Sequence, residues 1–185
     1  MEPGHRRFPL TLAVVAIAAA FTLLAGATPA EGSSPCTRYG DQRPGVISAK
    51  HARSAVICLI NRERDQRGIR SLHRNGRLDA AARNHSSRMV QKGCFSHKCA
   101  GERALKGRLQ SVGYIGGGLS RWSYGENIAY GQGTSGTPRK VVDAWMRSSG
   151  HRANVLSRTF RDLGVGYARR GDRGYYTADF GLRVG

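Results

Sequence analysis

The stretch Val141–Leu156, VVDAWMRSSGHRANVL, constrains the fold of this chain more than any other. Thr137 followed by Pro138 predicts a helix start, with a capping hydroxyl and a proline at the first helical position. The helix is expected to stop near Ser148–Gly150, because glycine supplies the backbone freedom that a C-terminal turn needs, and His151 would follow directly, held at the edge of a cleft. One buried helix face is indicated by apolar residues at helical spacing, namely Val141, Val142, Trp145 and Met146.

The N-terminal residues 1–30 have the pattern of a secretory signal peptide. A basic start precedes the apolar run Leu10–Leu24, and Ala25–Ala27 supplies an A-x-A cleavage site, with Thr28–Ala30 as a second choice. The apolar run is short for a membrane span, which needs about 20 residues. We therefore expect cleavage rather than a transmembrane anchor, and a secreted, extracellular or cell-envelope-associated protein.

After residues 1–30, the sequence predicts a flexible leader at 31–50 and one domain at 51–185. The leader is rich in Gly, Pro, Ser and Arg, a composition typical of irregular structure. The whole chain has 30 Lys+Arg and 12 Asp+Glu, a net charge of +18. This basic balance indicates either a solvated surface or attraction to anionic polymers and lipid headgroups. No nucleic-acid motif is present, so we expect no specific nucleic-acid partner. We also expect the protein to be a monomer.

Four cysteines in an exported chain predict two disulfides. Three pairings are open, and we favour Cys94–Cys99 together with Cys36–Cys58. The first pairing would close a small loop around His97, and the second would tie the leader to the first helix. The alternative, a metal site made by Cys94, His97 and Cys99, is disfavoured by the oxidising compartment.

The order of elements predicts an α+β fold with an antiparallel sheet, because the strands follow the helices without βαβ alternation. His85 lies on an apolar helix face, and we interpret it as a core histidine bonded to backbone rather than as a ligand. Periodicity predicts helices at Ala52–Gln66, from Asn75 or Asp79 to Lys92, and at Glu102–Val112, with strands around Ile128–Tyr130, Phe160–Ala168 and Tyr175–Gly181.

Three motifs in a fixed order resemble the CAP superfamily, also called the SCP domain family. They are FSH at Phe95–His97, GENIAYG at Gly125–Gly131, and WMRSSGHRANVL at Trp145–Leu156. The family takes its name from cysteine-rich secretory proteins, antigen 5 and pathogenesis-related proteins, and the likeness covers Ala52–Gly181, most strongly to its short secreted prokaryotic branch. The resemblance implies a three-layer α-β-α sandwich, in which helices cover both faces of a central antiparallel sheet.

The resemblance also implies a cavity lined by two histidines and two acids, which binds zinc in some members. His97 and His151 match the histidines, and Glu126 matches the first acid. The second acid, which follows the tryptophan in eukaryotic members, is absent after Trp145, and Asp143 is expected to face elsewhere. We therefore predict at most weak zinc binding through His97 and His151.

Three functions are open. The first is a non-catalytic secreted module that binds a small apolar, lipid or amphipathic ligand, or an anionic cell-envelope component. Its ligand cleft would comprise His97, Glu126, Asn127, His151 and Asn154. The second is a metal-dependent, peptidase-like hydrolase with Glu126 as base, although no H-E-x-x-H or G-x-S-x-G motif is present. The third is a structural or signalling module that acts through protein contacts.

Overall fold

The computed structural model describes Met1 and residues 34–185. The predicted signal peptide therefore lies outside the described residues, apart from Met1. Among the described residues, none of the helices combines the length and the apolar character needed to cross a membrane.

The described part of the chain forms six α-helices and a four-stranded sheet. The helices are α1 (Pro35–Tyr39), α2 (Ala49–Asp65), α3 (Gly76–Lys92), α4 (Leu105–Ser111), α5 (Pro138–Arg147) and α6 (Ser149–Leu156). The strands are β1 (His73–Arg74), β2 (Arg121–Gln132), β3 (Asp162–Arg170) and β4 (Arg173–Val184). A short 3₁₀ turn, Gly133–Gly136, joins β2 to α5.

The sheet has the order β1-β3-β4-β2, so the long strand β2 is an edge strand and β4 is central. The pairs β3–β4 and β2–β4 are antiparallel, as predicted. The strand β1 was not predicted, and it pairs parallel to β3 through two residues only. A two-residue strand carries no alternation that a sequence could reveal.

Helices cover both faces of this sheet. On one face, α2 and α5 share a core with β3 and β4 side chains such as Val165 and Phe180. On the other face, α3 lies directly on β3, because a Cβ at Gly164 would meet the carbonyl carbon of Leu78 at 2.1 Å. Gly166 makes a similar approach to Ala82. The architecture is the three-layer α-β-α sandwich that the resemblance implies.

The structure confirms several local predictions. Asn75 caps α3, accepting hydrogen bonds from the backbone N–H groups of Arg77 and Leu78, and Gly93 ends this helix at φ 59°. Thr137 caps α5 through the N–H of Lys140. Both predicted disulfides, Cys36–Cys58 and Cys94–Cys99, are present.

The helix α5 ends close to the predicted stop near Ser148–Gly150, but the role of Gly150 and the place of His151 differ from the prediction. The helix stops at Arg147, but a second helix, α6, begins at Ser149 and contains both Gly150 and His151. Gly150 is absent from the glycines with positive φ, so it provides no C-terminal turn. His151 therefore lies in the first turn of α6, where the helix fixes its backbone.

The described part of the predicted leader contains regular structure. Residues 35–39 form α1, and the side chains of Cys36 and Ile47 are buried in the main core. Arg139 of α5 also pairs with Asp41 at 2.8 Å. The helix α2 begins at Ala49, three residues earlier than expected, and α4 begins at Leu105 rather than at Glu102. The composition of this polar segment does not reveal its regular structure, because a disulfide and a few buried side chains hold it in place.

We expect Trp145→Ala to lower the free energy of unfolding by about 3–5 kcal/mol, because it leaves a large cavity in the core. Trp145 is 1% exposed, and its Nε1–H donates to the carbonyl of Ile128 at 3.0 Å. The matched control is Trp122→Ala, since Trp122 is 39% exposed. Urea unfolding measures both variants, and a loss for Trp145→Ala no larger than that for Trp122→Ala would contradict this account of the core.

Candidate functional site

The centre of the candidate site is an ion pair between His97 and Glu126. Nδ1 of His97 lies 2.7 Å from Oε1 of Glu126. The His97 side chain is 57% exposed and that of Glu126 is 2% exposed, so the pair links solvent to a buried carboxylate. The Cys94–Cys99 disulfide closes the loop that carries His97. The hydrogen bond to Glu126 raises the pKa of His97, against the opposing effect of its partial burial.

Glu126 has further partners inside the protein. Nη2 of Arg108 hydrogen-bonds its Oε2, and Nε2 of His85 lies 3.9 Å from the same oxygen. Burial alone would raise the pKa of Glu126, but the hydrogen bond from His97 and the charge of Arg108 outweigh it and lower that pKa. Glu126 is therefore a stabilised anion and a weak base.

A second carboxylate, Glu102, joins this cluster and is absent from the predicted site. Its Oε2 lies 2.8 Å from Nδ1 of His85 and 3.3 Å from the backbone N of Cys99, and its Oε1 lies 3.4 Å from Nη1 of Arg108. His85 is fully buried, as a core histidine should be, but its partner is this carboxylate rather than backbone. The one signal for Glu102 was its place directly after the Cys94–Cys99 loop.

Asp179 is a third carboxylate, and it is also absent from the predicted site. It is the cross-strand partner of Glu126 and is fully buried. No described residue donates a hydrogen bond to either of its oxygens. Burial, and then the charge of Glu126, raise the pKa of Asp179 well above its ordinary value, and Arg108 offsets this only in part. The direction is physically expected, because two adjacent carboxylates do not both ionise easily. The sequence signal that could have indicated a buried carboxylate was an acidic residue within the apolar run YYTADF.

His151 is positioned by two asparagines. The side-chain amide of Asn127 donates to the carbonyl of His151 at 2.9 Å. Asn154 donates to Oδ1 of Asn127 at 2.9 Å and to the carbonyl of Glu126 at 3.3 Å. Partial burial lowers the pKa of His151, and the nearby positive charge of His97 lowers it further. The two imidazoles therefore lie within electrostatic reach of each other.

Asn127 and Asn154 do not line a ligand cleft as predicted. Asn127 is fully buried, and both side chains hydrogen-bond inward. Successive residues of a strand point to opposite faces, so Glu126 reaches the loop of His97 while Asn127 reaches α6. One strand, β2, thus holds both histidines through neighbouring residues.

An open groove of about 590 Å³ runs along the outer edge of β2. Phe95 and Tyr130 stand in it at 48% and 51% exposure, with ring centroids 4.7 Å apart. Of the five residues predicted to line a ligand cleft, only His151 lines this groove. The full lining is Phe95, Ile128, Ala129, Tyr130, Gly131, Gln132, Ser135, Ala144, Trp145, Ser148 and His151.

The donor set does not fit a three-ligand metal site. Within Met1 and residues 34–185, no group of three or more His, Cys, Asp or Glu is arranged to hold a metal ion. Nδ1 of His97 is engaged by Glu126, and the disulfide removes Cys94 and Cys99 as thiolate ligands. The alternative metal site at Cys94, His97 and Cys99 is therefore wrong, and the zinc prediction depends on the imidazoles of His97 and His151 alone.

The pKa directions predict distinct titrations for the two histidines. His97 should titrate above the ordinary value of 6.5 and His151 below it. Replacing Glu126 with glutamine removes the anion that stabilises charged His97, so its pKa should fall. NMR of the imidazole resonances between pH 4 and 9 measures this. An unchanged pKa of His97 in Glu126→Gln would contradict the ion pair.

Asp179→Asn should stabilise the protein at pH 7 by about 1–3 kcal/mol, because the amide needs no proton to stay neutral. The folded pKa of Asp179 is raised above the unfolded one, so its contribution to stability is full below the unfolded pKa and is lost as pH rises through the folded pKa. The gain should therefore vanish below pH ~4. Urea unfolding across this range tests it, with exposed Asp172→Asn as control. A gain that does not depend on pH would contradict the assignment.

Comparisons with known proteins agree with this fold. The chain matches the family model "CAP: Cysteine-rich secretory protein family" over residues 58–180. It is 34% identical over 145 residues to the uncharacterized protein YkwD of Bacillus subtilis (strain 168), covering 78% of this chain and 52% of YkwD. It is 33% identical over 125 residues to the uncharacterized membrane protein YlbC of the same organism, covering 68% of this chain and 33% of YlbC.

Solved structures show the same similarity. An extracellular SCP-domain protein of Bacillus anthracis superposes with a TM-score of 0.61 at 28% identity, covering 71% of this chain and 40% of that chain. An outer surface protein of Borrelia burgdorferi superposes with a TM-score of 0.63 at 17% identity, covering 74% of this chain and 96% of that chain, and shows the fold alone. The chain spans about half the length of YkwD and a third of YlbC. With two thirds of its residues matched by the family model, the chain belongs to the CAP family of cysteine-rich secretory proteins.

Proposed function

We propose that this chain is a secreted, non-catalytic CAP module that binds a small amphipathic ligand in the groove along β2. The observation that carries the proposal is the pairing of exposed Phe95 and Tyr130 with the imidazole of His151 in one open groove. Aromatic faces in water gain free energy when an apolar ligand covers them. His151 and Ser148 would meet the polar end of that ligand.

The size and walls of the groove support a small ligand. Ligand pockets commonly have volumes of about 300–1,000 Å³, with mostly apolar walls and a few polar groups, and this groove, at about 590 Å³, lies in that range. Tyr130 is supported from behind by Tyr175, at a centroid distance of 5.9 Å, and from the side by Arg173. The aromatic wall is therefore supported before any ligand arrives.

The charge of the chain supports an anionic environment for this module. Its net charge of +18 would attract it to anionic polymers or lipid headgroups of a cell envelope. Secretion is supported by the N-terminal sequence pattern and by the similarity to an extracellular protein of B. anthracis. The envelope would concentrate the module where amphipathic ligands occur.

A hydrolase is not favoured by the geometry. The pKa of Glu126 is lowered, whereas a general base works best with a pKa close to the operating pH. Among the described residues, no serine hydroxyl hydrogen-bonds a histidine ring, so no activated nucleophile of that type is formed. A structural or signalling module remains the third hypothesis. Weak zinc binding by His97 and His151 stays a prediction and has no part in the proposed function.

We expect Phe95→Ala and Tyr130→Ala each to weaken binding of an amphipathic probe about tenfold, since each removes roughly 50–60 Å² of apolar contact, worth about 1.4 kcal/mol. A dansyl-labelled fatty acid, titrated by fluorescence, is the probe. Trp122→Ala is the matched control, because Trp122 is an exposed aromatic at the opposite end of β2. An equal loss in Trp122→Ala, or no saturable binding by the parent protein, would refute the groove as the ligand site.

A further inference from the structure

We propose that the cleft between α3 and α4 is a second binding site, specific for the phosphate group of a small phosphomonoester. The cleft has a volume of about 250 Å³, and its polar lining consists of Asn84, Arg88, Glu102, Arg103, Arg108 and Ser111. None of these residues lines the groove along β2. The inference therefore goes beyond the proposed function and does not depend on it.

Three separate segments build this cleft. Asn84 and Arg88 are four residues apart on α3, which places them on one face one turn apart. Arg108 and Ser111 are three residues apart on α4 and share a face for the same reason. Arg103 comes from the segment before α4. Its side chain packs against Gly107, because a Cβ added to Gly107 would lie 2.9 Å from the Cβ of Arg103.

The cleft contains positive charge without a partner. Within the described chain, the side chains of Arg88 and Arg103 make no hydrogen bond and no ion pair, although both line the same small cavity. Arg108 is 5% exposed, and its Nη atoms bond Glu102 and Glu126, but its buried Nε has no partner among the described residues. Two unpaired guanidinium groups beside a third buried one would be stabilised by a bound anion.

Glu102 also lines the cleft but does not neutralise it. Its two oxygens already accept from Nδ1 of His85, from the backbone N–H of Cys99 and from Nη1 of Arg108. Arg88 and Arg103 are therefore left for an external anion. Glu102 is held on the inner side of the cleft by the buried charge cluster around Glu126.

The chemistry of the lining selects a phosphate group. A guanidinium group donates two parallel hydrogen bonds to the oxygens of a phosphate, with stronger bonds than a neutral donor provides. The Asn84 amide adds an uncharged donor, whereas the Ser111 hydroxyl already donates to the carbonyl of Arg108 at 2.8 Å. A volume of about 250 Å³ admits a phosphate with a small substituent but not a folded partner chain. The dianionic charge of a monoester matches the two unpaired arginines.

The test is calorimetric titration of glycerol 3-phosphate and of inorganic phosphate into the purified, secreted chain at low salt. The double variant Arg88→Gln/Arg103→Gln should raise the Kd for glycerol 3-phosphate at least tenfold. Its matched control is Arg158→Gln/Arg170→Gln, which removes the same charge from two exposed sites outside the cleft and should change Kd less than twofold. Thermal unfolding verifies that both variants fold, and Arg108 is left intact.

Each outcome decides the proposal. Saturable binding that the cleft variant loses and the control keeps supports it, and Phe95→Ala should then bind glycerol 3-phosphate like the parent. An equal loss in both double variants would show general attraction of charge and overturn the site. No saturable binding of either phosphate probe would overturn it too. Binding only to phosphatidylglycerol vesicles would overturn the monoester assignment in favour of a lipid surface.

Discussion

The burial of Glu126 is the constraint on which the site depends. An ionised carboxylate removed from water costs several kcal/mol unless charged and hydrogen-bonding partners replace the solvent. Here His97 and Arg108 supply those partners, and Arg108 in turn engages Glu102. The cluster therefore fixes the exposed loop of His97 and the short helix α4 at once. A disulfide alone would close the loop without choosing the direction of the imidazole.

Successive side chains of β2 point to opposite faces of the sheet, so this strand positions groups on both faces. Glu126 points toward α3 and the loop of His97, whereas Asn127 points toward α6 and holds the carbonyl of His151. Because β2 is an edge strand, the segments on its two faces meet around its free side and form a groove. The histidines are fixed by the strand, and the aromatic residues of the groove lie beside them. The carboxylate of Glu126 is already engaged by His97 and Arg108.

Arg108 is where the two candidate sites meet. Its Nη atoms serve the cluster around Glu126, while its side chain also lines the cleft between α3 and α4. Burial raises the pKa of Asp179, the third carboxyl group of the interior, and so favours its neutral form over a third negative charge. The cluster as a whole thus balances its charge by protonation as well as by pairing, which limits the electrostatic cost of so many buried polar groups.

Local signals in the sequence were sufficient for much of the fold. The cap at Asn75, the stop at Gly93 and the start at Thr137 act within one helical turn, so neighbouring residues determine them. The burial of Trp145 follows from helical periodicity, and the family motifs identified His97, Glu126 and His151. By contrast, Glu102, Arg108 and Asp179 come from a loop, a helix and a strand that only packing brings together. The electrostatic environment of each depends on the other charged groups of the cluster. The sequence by itself determined the longer helices and strands and the family, because those depend on short-range order and on motifs, whereas α1, α6 and β1 emerged only in the structure. The tertiary structure alone decided the buried charge cluster and the two cavities, because burial and electrostatic pairing are set by contacts between residues far apart in the chain.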